Sequence, residues 1–237
     1  MPTVLSVSAH AADYVWRAGG TLAKYAQAGN PVHVLVLSYG EKGESGELWK
    51  KPGQTIENVK EIRRAESQAA ADTLGVQIEF LDWGDYPLRI DDSRLETLVL
   101  YLRRLKPQII ITHGHYDLFN PDHTDVAKTV HHAQVLSQSG GYHPEVPTIP
   151  PAQIFGYEHH QPELSQFKPE VIVDITSTFE TKRKAMESFA AQGHLLEYYT
   201  MRAHIRGNNA RRISGNNSYR YAEAFERVFP YVGDELR

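Results

Sequence analysis

Val4-Leu5-Ser6-Val7-Ser8-Ala9-His10-Ala11-Ala12-Asp13 opens the chain with an apolar run that ends in a histidine and an aspartate three residues apart. The run Val4 to Ser8 predicts a first strand. The pattern from Asp13 to Gly29 predicts a helix, with Asp13 placed to cap it. A strand that hands over to a helix within a few residues is the first half of a βαβ unit, and that reading decides the fold class.

The alternation continues outward from there. Val32 to Ser38 predicts a second strand, followed by a Gly- and Glu-rich loop over Tyr39 to Pro52. Ile56 to Leu74 predicts an amphipathic helix that Gly75 ends. Gln77 to Leu81 and Gln108 to Thr112 predict strands, while Ser93 to Leu105 and Asp122 to Ser137 predict helices. The expected fold is α/β: a Rossmann-like, mostly parallel sheet with helices on both faces. Ligands of such sheets sit beyond the carboxyl ends of the strands. His10, Tyr39 to Ser45, Trp83 to Pro87 and His113 to His123 all fall there.

The second part is less regular. Gly140 to Pro151 is a Gly/Pro-rich loop. Ala152 to Tyr157 and Val171 to Ile175 predict strands, with Glu158-His159-His160-Gln161 between them. Phe179 to Ala191 and Tyr221 to Val228 predict helices, and His194 to Arg220 is rich in Arg, Asn, Tyr and Gly. The reading is one domain over 1–237: a core over 1–139, and an extension over 140–237 folded onto it.

Composition removes several function classes. The 237 residues suffice for one α/β domain with a substantial core. The net charge is −4 and no basic stripe is present, which argues against nucleic acid and anionic membranes. There is no cysteine, so disulfides, thiolate catalysis and cysteine metal sites are excluded. The chain enters a strand at once, without a charged n-region or a long apolar h-region. The expectation is a cytoplasmic protein with no signal peptide and no membrane span. No Gly-x-Gly-x-x-Gly follows the first strand, which argues against dinucleotide binding.

His10 and Asp13 after one strand, and His123 after another, make a set of two imidazoles and one carboxylate with room for water. That set is the signature of a catalytic zinc, and it also suits iron or manganese. The plain alternative is a buried histidine pair with a helix cap, in a chain with 12 histidines.

Val7 to Tyr25 and Asn120-Pro121-Asp122-His123 resemble the two metal motifs of the PIG-L/LmbE family, zinc-dependent enzymes best known as N-acetylglucosaminyl deacetylases. The resemblance extends over Arg63-x-x-Glu66, Leu74-Gly75 and Tyr221-Ala222-Glu223-Ala224-Phe225. It implies that His10, Asp13 and His123 hold zinc. The family's first motif reads Ala-His-Pro-Asp-Asp-Glu, and the first aspartate of its pair is the general base. Here that place is Ala12, whose methyl group moves no proton, and losing a general base costs a factor of about 100 to 10,000. Asn120 stands where many deacetylases carry another histidine.

The chain is similar to one divergent branch in particular, the 4-oxalomesaconate hydratases of gallate and protocatechuate breakdown. The matching stretches are Ser8 to Gly20, Ser38 to Ser45, Gly84 to Pro87, His159 to Glu163 and His194 to Thr200. They imply zinc-dependent water addition to a conjugated, carboxylate-rich enol or keto acid. Glu44 and His160 match the proton shuttles of that branch, with His159 a rival for the second role. Arg17, Arg202, Arg206 and Arg212 are expected to bind substrate carboxylates, the last three from a segment that closes over the site. Tyr199 is expected as a hydrogen-bond donor and His113 as a substrate-facing group. Asp117, Asn120 and Asp122 are expected around the metal ligands, with Asp117 orienting an imidazole. The partner is then a small polycarboxylate, and the family implies a homo-oligomer. The alternatives are a PIG-L-type deacetylase or amide hydrolase, and a non-catalytic sugar- or acid-binding protein.

Overall fold

The structure, a computed structural model, describes residues 1–234. In chain order the elements are β1 (Val4–Ser8), α1 (Asp13–Gln27), β2 (Val32–Val36), α2 (Gly46–Trp49), α3 (Ile56–Leu74) and β3 (Gln77–Phe80). There follow α4 (Asp92–Leu105), β4 (Ile109–Thr112), α5 (Pro121–Ser137), β5 (Gln153–Tyr157), β6 (Val171–Asp174) and α6 (Phe179–Glu187). A 3₁₀ turn (Ala190–Gln192), α7 (Leu195–Ser214) and β7 (Ala222–Arg227) complete the described chain.

The strands form one sheet of seven in the order β3-β2-β1-β4-β5-β7-β6. The first five are parallel, whereas β7 runs antiparallel to both β5 and β6. Strand order reverses between β1 and β4, so a crevice opens beyond their carboxyl ends. β1 is buried along its whole length, as a central strand covered on both faces must be. One apolar layer lies under α1, α3 and α6, with Val15, Leu22 and Leu74 at its centre. The other lies under α4 and α5, with Leu35, Leu98 and Val130. Among the described residues no helix is long and apolar enough to cross a membrane.

Two expectations for the second part need correction. Tyr221 to Val228 is not a helix but holds β7. Ala222-Glu223-Ala224-Phe225 favours helix locally, but β6 pairs with all four residues and β5 joins from Phe225 onward, so tertiary pairing wins. Glu223 is buried there against Lys182 at 2.6 Å. Conversely, the Arg/Asn-rich segment contains the 20-residue helix α7. Its buried residues Tyr199, Ala203, Gly207 and Ala210 recur at helical spacing. Small side chains hid that stripe. Gly207 in particular reads as a breaker, but a β-carbon there would stand 2.1 Å from the Arg220 carbonyl oxygen, so close packing demands glycine. The helix expected to run to Ala191 ends at Glu187, and the chain re-forms as the 3₁₀ turn.

Candidate metal centre and active site

The loop after β1 delivers His10, and the first turn of α1 delivers Asp13. Asp13 does not cap α1 in the usual way; its Oδ2 reaches back to accept the His10 amide N–H at 2.7 Å. The first turn of α5 brings His123, and the loop after β2 brings Glu44. Gly40 makes that loop possible. Its φ is +70°, and a β-carbon would press on Glu44 Cβ at 3.1 Å and His10 Cβ at 3.2 Å.

Donor atoms of four side chains converge. His10 Nδ1 lies 3.2 Å from His123 Nε2, 3.2 Å from Glu44 Oε1 and 3.5 Å from Asp13 Oδ2. His123 Nε2 lies 3.5 Å from Asp13 Oδ1 and 3.6 Å from Glu44 Oε1. An ion held tetrahedrally at about 2.0–2.2 Å by nitrogen and oxygen has ligand–ligand edges of about 3.3–3.6 Å. The four side chains therefore fit a divalent ion, in both donor chemistry and spacing. Glu44 was expected to move protons; its carboxylate stands at the fourth corner of this group.

Outer carboxylates orient both imidazoles. Asp117 Oδ2 takes the Nδ1 side of His123 at 2.8 Å, and Asp122 Oδ2 faces Nε2 of His10 at 3.4 Å. Each ring thereby turns its other nitrogen inward. Asp122 also accepts the backbone N–H groups of Tyr86 and Leu88, both at 3.0 Å. Asp85 likewise accepts those of Lys42 and Gly43. The Gly84-Asp85-Tyr86-Pro87 stretch thus ties the Glu44 loop and α5 together. Asn120 Nδ2 donates to Glu44 Oε1 at 3.2 Å.

The electrostatics call for a cation. Burial opposes charge on His10, but Glu44, Asp122 and Asp13 outweigh it and hold the imidazole well above its ordinary range. Burial also opposes charge on His123, yet Asp13 and Asp117 push it up to about 9 despite Arg17. Burial would raise Glu44, and His10 more than reverses that, holding the carboxyl far below its usual range. His113 goes the other way. Burial and the neighbouring His123 push it down to about 3. Its Nε2 accepts the Ala9 N–H at 3.0 Å, and its ring stacks on His123 at 4.0 Å between centroids.

A cavity of about 370 Å³ opens beside this group, within the range that suits a small acid. Asp13, Arg17, Glu44, Asn120, His123, His160 and Tyr199 line it. Arg17 is buried and ion-paired with Asp13. His160 packs on Tyr198 at 4.5 Å between centroids; burial, then Arg17, hold it below its ordinary value. His159 is not on this wall. It is buried against Phe167, and among the described residues neither ring nitrogen has a partner. Burial pushes it down to about 4.

The distal arginines are placed elsewhere. Arg206 forms a two-pronged pair with Glu158, and Arg202 pairs with Glu163 at 2.7 Å. Arg212 is exposed on the last turn of α7. None of the three lines the cavity: Arg202 and Arg206 lie on the Tyr199 face of α7, one and two turns on, but Glu163 and Glu158 hold their guanidinium groups, and Arg212 sits at the far end of the helix. Ala12 is fully buried in the core under α1.

The PIG-L family, described as GlcNAc-PI de-N-acetylase, matches residues 5–134. The chain is 42% identical over 237 residues to the 4-oxalmesaconate hydratase of Pseudomonas putida KT2440, covering 99% of this chain and 92% of that one. It superimposes on the crystal structure of the 4-carboxy-2-hydroxymuconate hydratase of the same organism with a TM-score of 0.96, at 41% identity over 100% of both chains. The N,N'-diacetylchitobiose deacetylase of Pyrococcus horikoshii shares the fold, with a TM-score of 0.80 at 23% identity over 96% of this chain and 84% of that one.

Proposed function

The chain belongs to the PIG-L family, and from that premise we propose that it is a zinc-dependent hydratase rather than a deacetylase. The reaction adds water across a carbon–carbon double bond conjugated to the carbonyl or carboxylate of an unsaturated polycarboxylic acid. Likeness over nearly the whole chain to Pseudomonas putida hydratase, in sequence and in structure, supports this. The observation that carries it is Ala12: the position of the family's deacetylating base holds a methyl group sealed in the core.

His10, Asp13 and His123 are the ligands in this reading. Bound zinc supplies Lewis acidity toward an oxygen and lowers the pKa of water. Glu44 takes a proton from the attacking water as the carbon–oxygen bond forms. His160, on the same cavity wall, delivers a proton to the adjacent carbon as the π bond is used up, so one water is added and no other product forms. Glu44 starts as a carboxylate. His160 is mostly neutral in the free protein, and an entering polyanion favours its charged form, which arms it as the acid. Asn120 holds Glu44, Arg17 balances charge, and Tyr199 closes the wall.

The test is an assay of metal-loaded protein on 4-carboxy-2-hydroxymuconate and on N-acetylglucosamine derivatives. Hydration of the first and no acetate from the second is expected. Acetate release without hydration would overturn the reading.

A further inference from the structure

Arg63 and Glu66, the pair from α3 that the metal centre does not use, grip the 3₁₀ turn before α7. Arg63 is fully buried. Its Nη1 donates to Glu66 at 3.0 Å, its Nε to the Tyr39 carbonyl at 3.3 Å and its Nη2 to Gln192 Oε1 at 2.8 Å. The other oxygen of Glu66 accepts the Ala191 N–H at 3.0 Å. Trp16 Nε1 also donates to Gln192 Oε1, at 3.4 Å.

Two donors on one oxygen fix the orientation of the Gln192 amide. Turning it over would set its NH₂ against the Nη2–H of Arg63, donor against donor. The NH₂ therefore points away from Arg63. Gln192 is 6% exposed and lines the cavity, and among the described residues its Nε2 has no hydrogen-bond partner. Its Nε2 is not a sealed orphan, so its N–H donors open onto the cavity and meet what fills it.

The neighbouring cavity wall names the class of acceptor. His194 and Leu195, at the start of the 20-residue helix α7, line the cavity beside Gln192. His194 supplies no side-chain cap, so the positive end of a long helix faces the same space. Glu47 is on the wall too, but it is bonded to Lys50. We propose that Gln192 is a substrate-binding residue, its amide N–H and the α7 N-terminus receiving a carboxylate of the substrate remote from the bond that reacts. Arg63 and Glu66 are its positioning residues. This rests on the hydratase reading only for which polycarboxylate is bound.

The experiment uses metal-loaded full chain and the saturated probe propane-1,2,3-tricarboxylate, titrated calorimetrically into wild type, Gln192→Leu and Gln192→Glu. The glutamate keeps one oxygen on Arg63 and turns the other, charged, toward the probe, so it folds even if the leucine variant does not. The probe's Kd is expected to rise about tenfold in the leucine variant and further in the glutamate variant. On a turned-over substrate KM rises in parallel while kcat stays within about twofold, and metal content is unchanged. Wild type that ignores the probe, variants that bind it as wild type does, or a fall in kcat with KM unchanged would each overturn the assignment. Loss of probe binding in both variants, with no hydration by wild type, leaves the subsite standing and removes the hydratase reading instead.

Discussion

One carboxylate, that of Asp13, accepts the His10 amide, faces the imidazoles of His10 and His123 and pairs with Arg17. Ala12, next to it, carries only a methyl group, so the hydratase proposal gives the proton work to Glu44 and His160. Replacing His10, Asp13 or His123 by Ala is expected to remove metal and turnover together. Glu44→Gln is expected to keep the metal, measured by elemental analysis, while kcat falls by a factor of about 100 to 10,000. Metal loss in Glu44→Gln would make Glu44 a permanent ligand instead of a base. His160 gives the pH prediction. With its pKa below 6.5 in the free protein, the imidazole loses its proton earlier than usual as pH rises. Nitrogen chemical shifts of His160 should therefore titrate below 6.5, and saturating propane-1,2,3-tricarboxylate should move the midpoint upward, because nearby negative charge favours the protonated form. A midpoint that ignores the anion would remove His160 as the acid.

At the scale of elements, α1 carries Asp13 and Arg17, and it is held from outside. Glu223 on β7 accepts the N–H groups of Gly20 at 2.9 Å and Thr21 at 2.7 Å. Lys182 on α6 pairs with Glu223 and donates to the Trp16 carbonyl at 2.8 Å. Side chains thus serve backbone groups in the middle of α1, one turn beyond Arg17. Lys182→Met is expected to cost about 3–5 kcal/mol, since it leaves Glu223 buried without its counter-charge. Lys182→Met/Glu223→Met should cost less than the sum of the two single changes. Urea denaturation measures both, and additive costs would mean the two groups do not act as a pair. The α7 face works by the same logic: its stripe of small residues lets the helix lie close on β7, which leaves its N-terminus and Gln192 at the cavity.

On the scale of the whole molecule, the centre sits where strand order reverses, and its donors come from the loop after β1, α1, the loop after β2 and α5. A bound ion therefore ties together segments distant in sequence, and it stabilises the fold by mass action. Free zinc at 100 times its dissociation constant is expected to add about 2.7 kcal/mol. Calorimetry should show a rise in Tm that EDTA reverses and that His123→Ala abolishes; a rise that survives in His123→Ala would place the ion elsewhere. The sequence alone determined the parallel βαβ core, because buried central strands and amphipathic helices write their periods into local residue order. It likewise marked His10, Asp13 and His123, whose residue types and places at strand ends are local facts. Only the tertiary structure decided that Ala222 to Arg227 is a strand, since Ala and Glu favour helix until strands on both sides and Lys182 recruit them. It alone turned Arg202 and Arg206 toward Glu158 and Glu163 and left Gln192 facing the cavity, because which way a side chain points depends on partners far away along the chain.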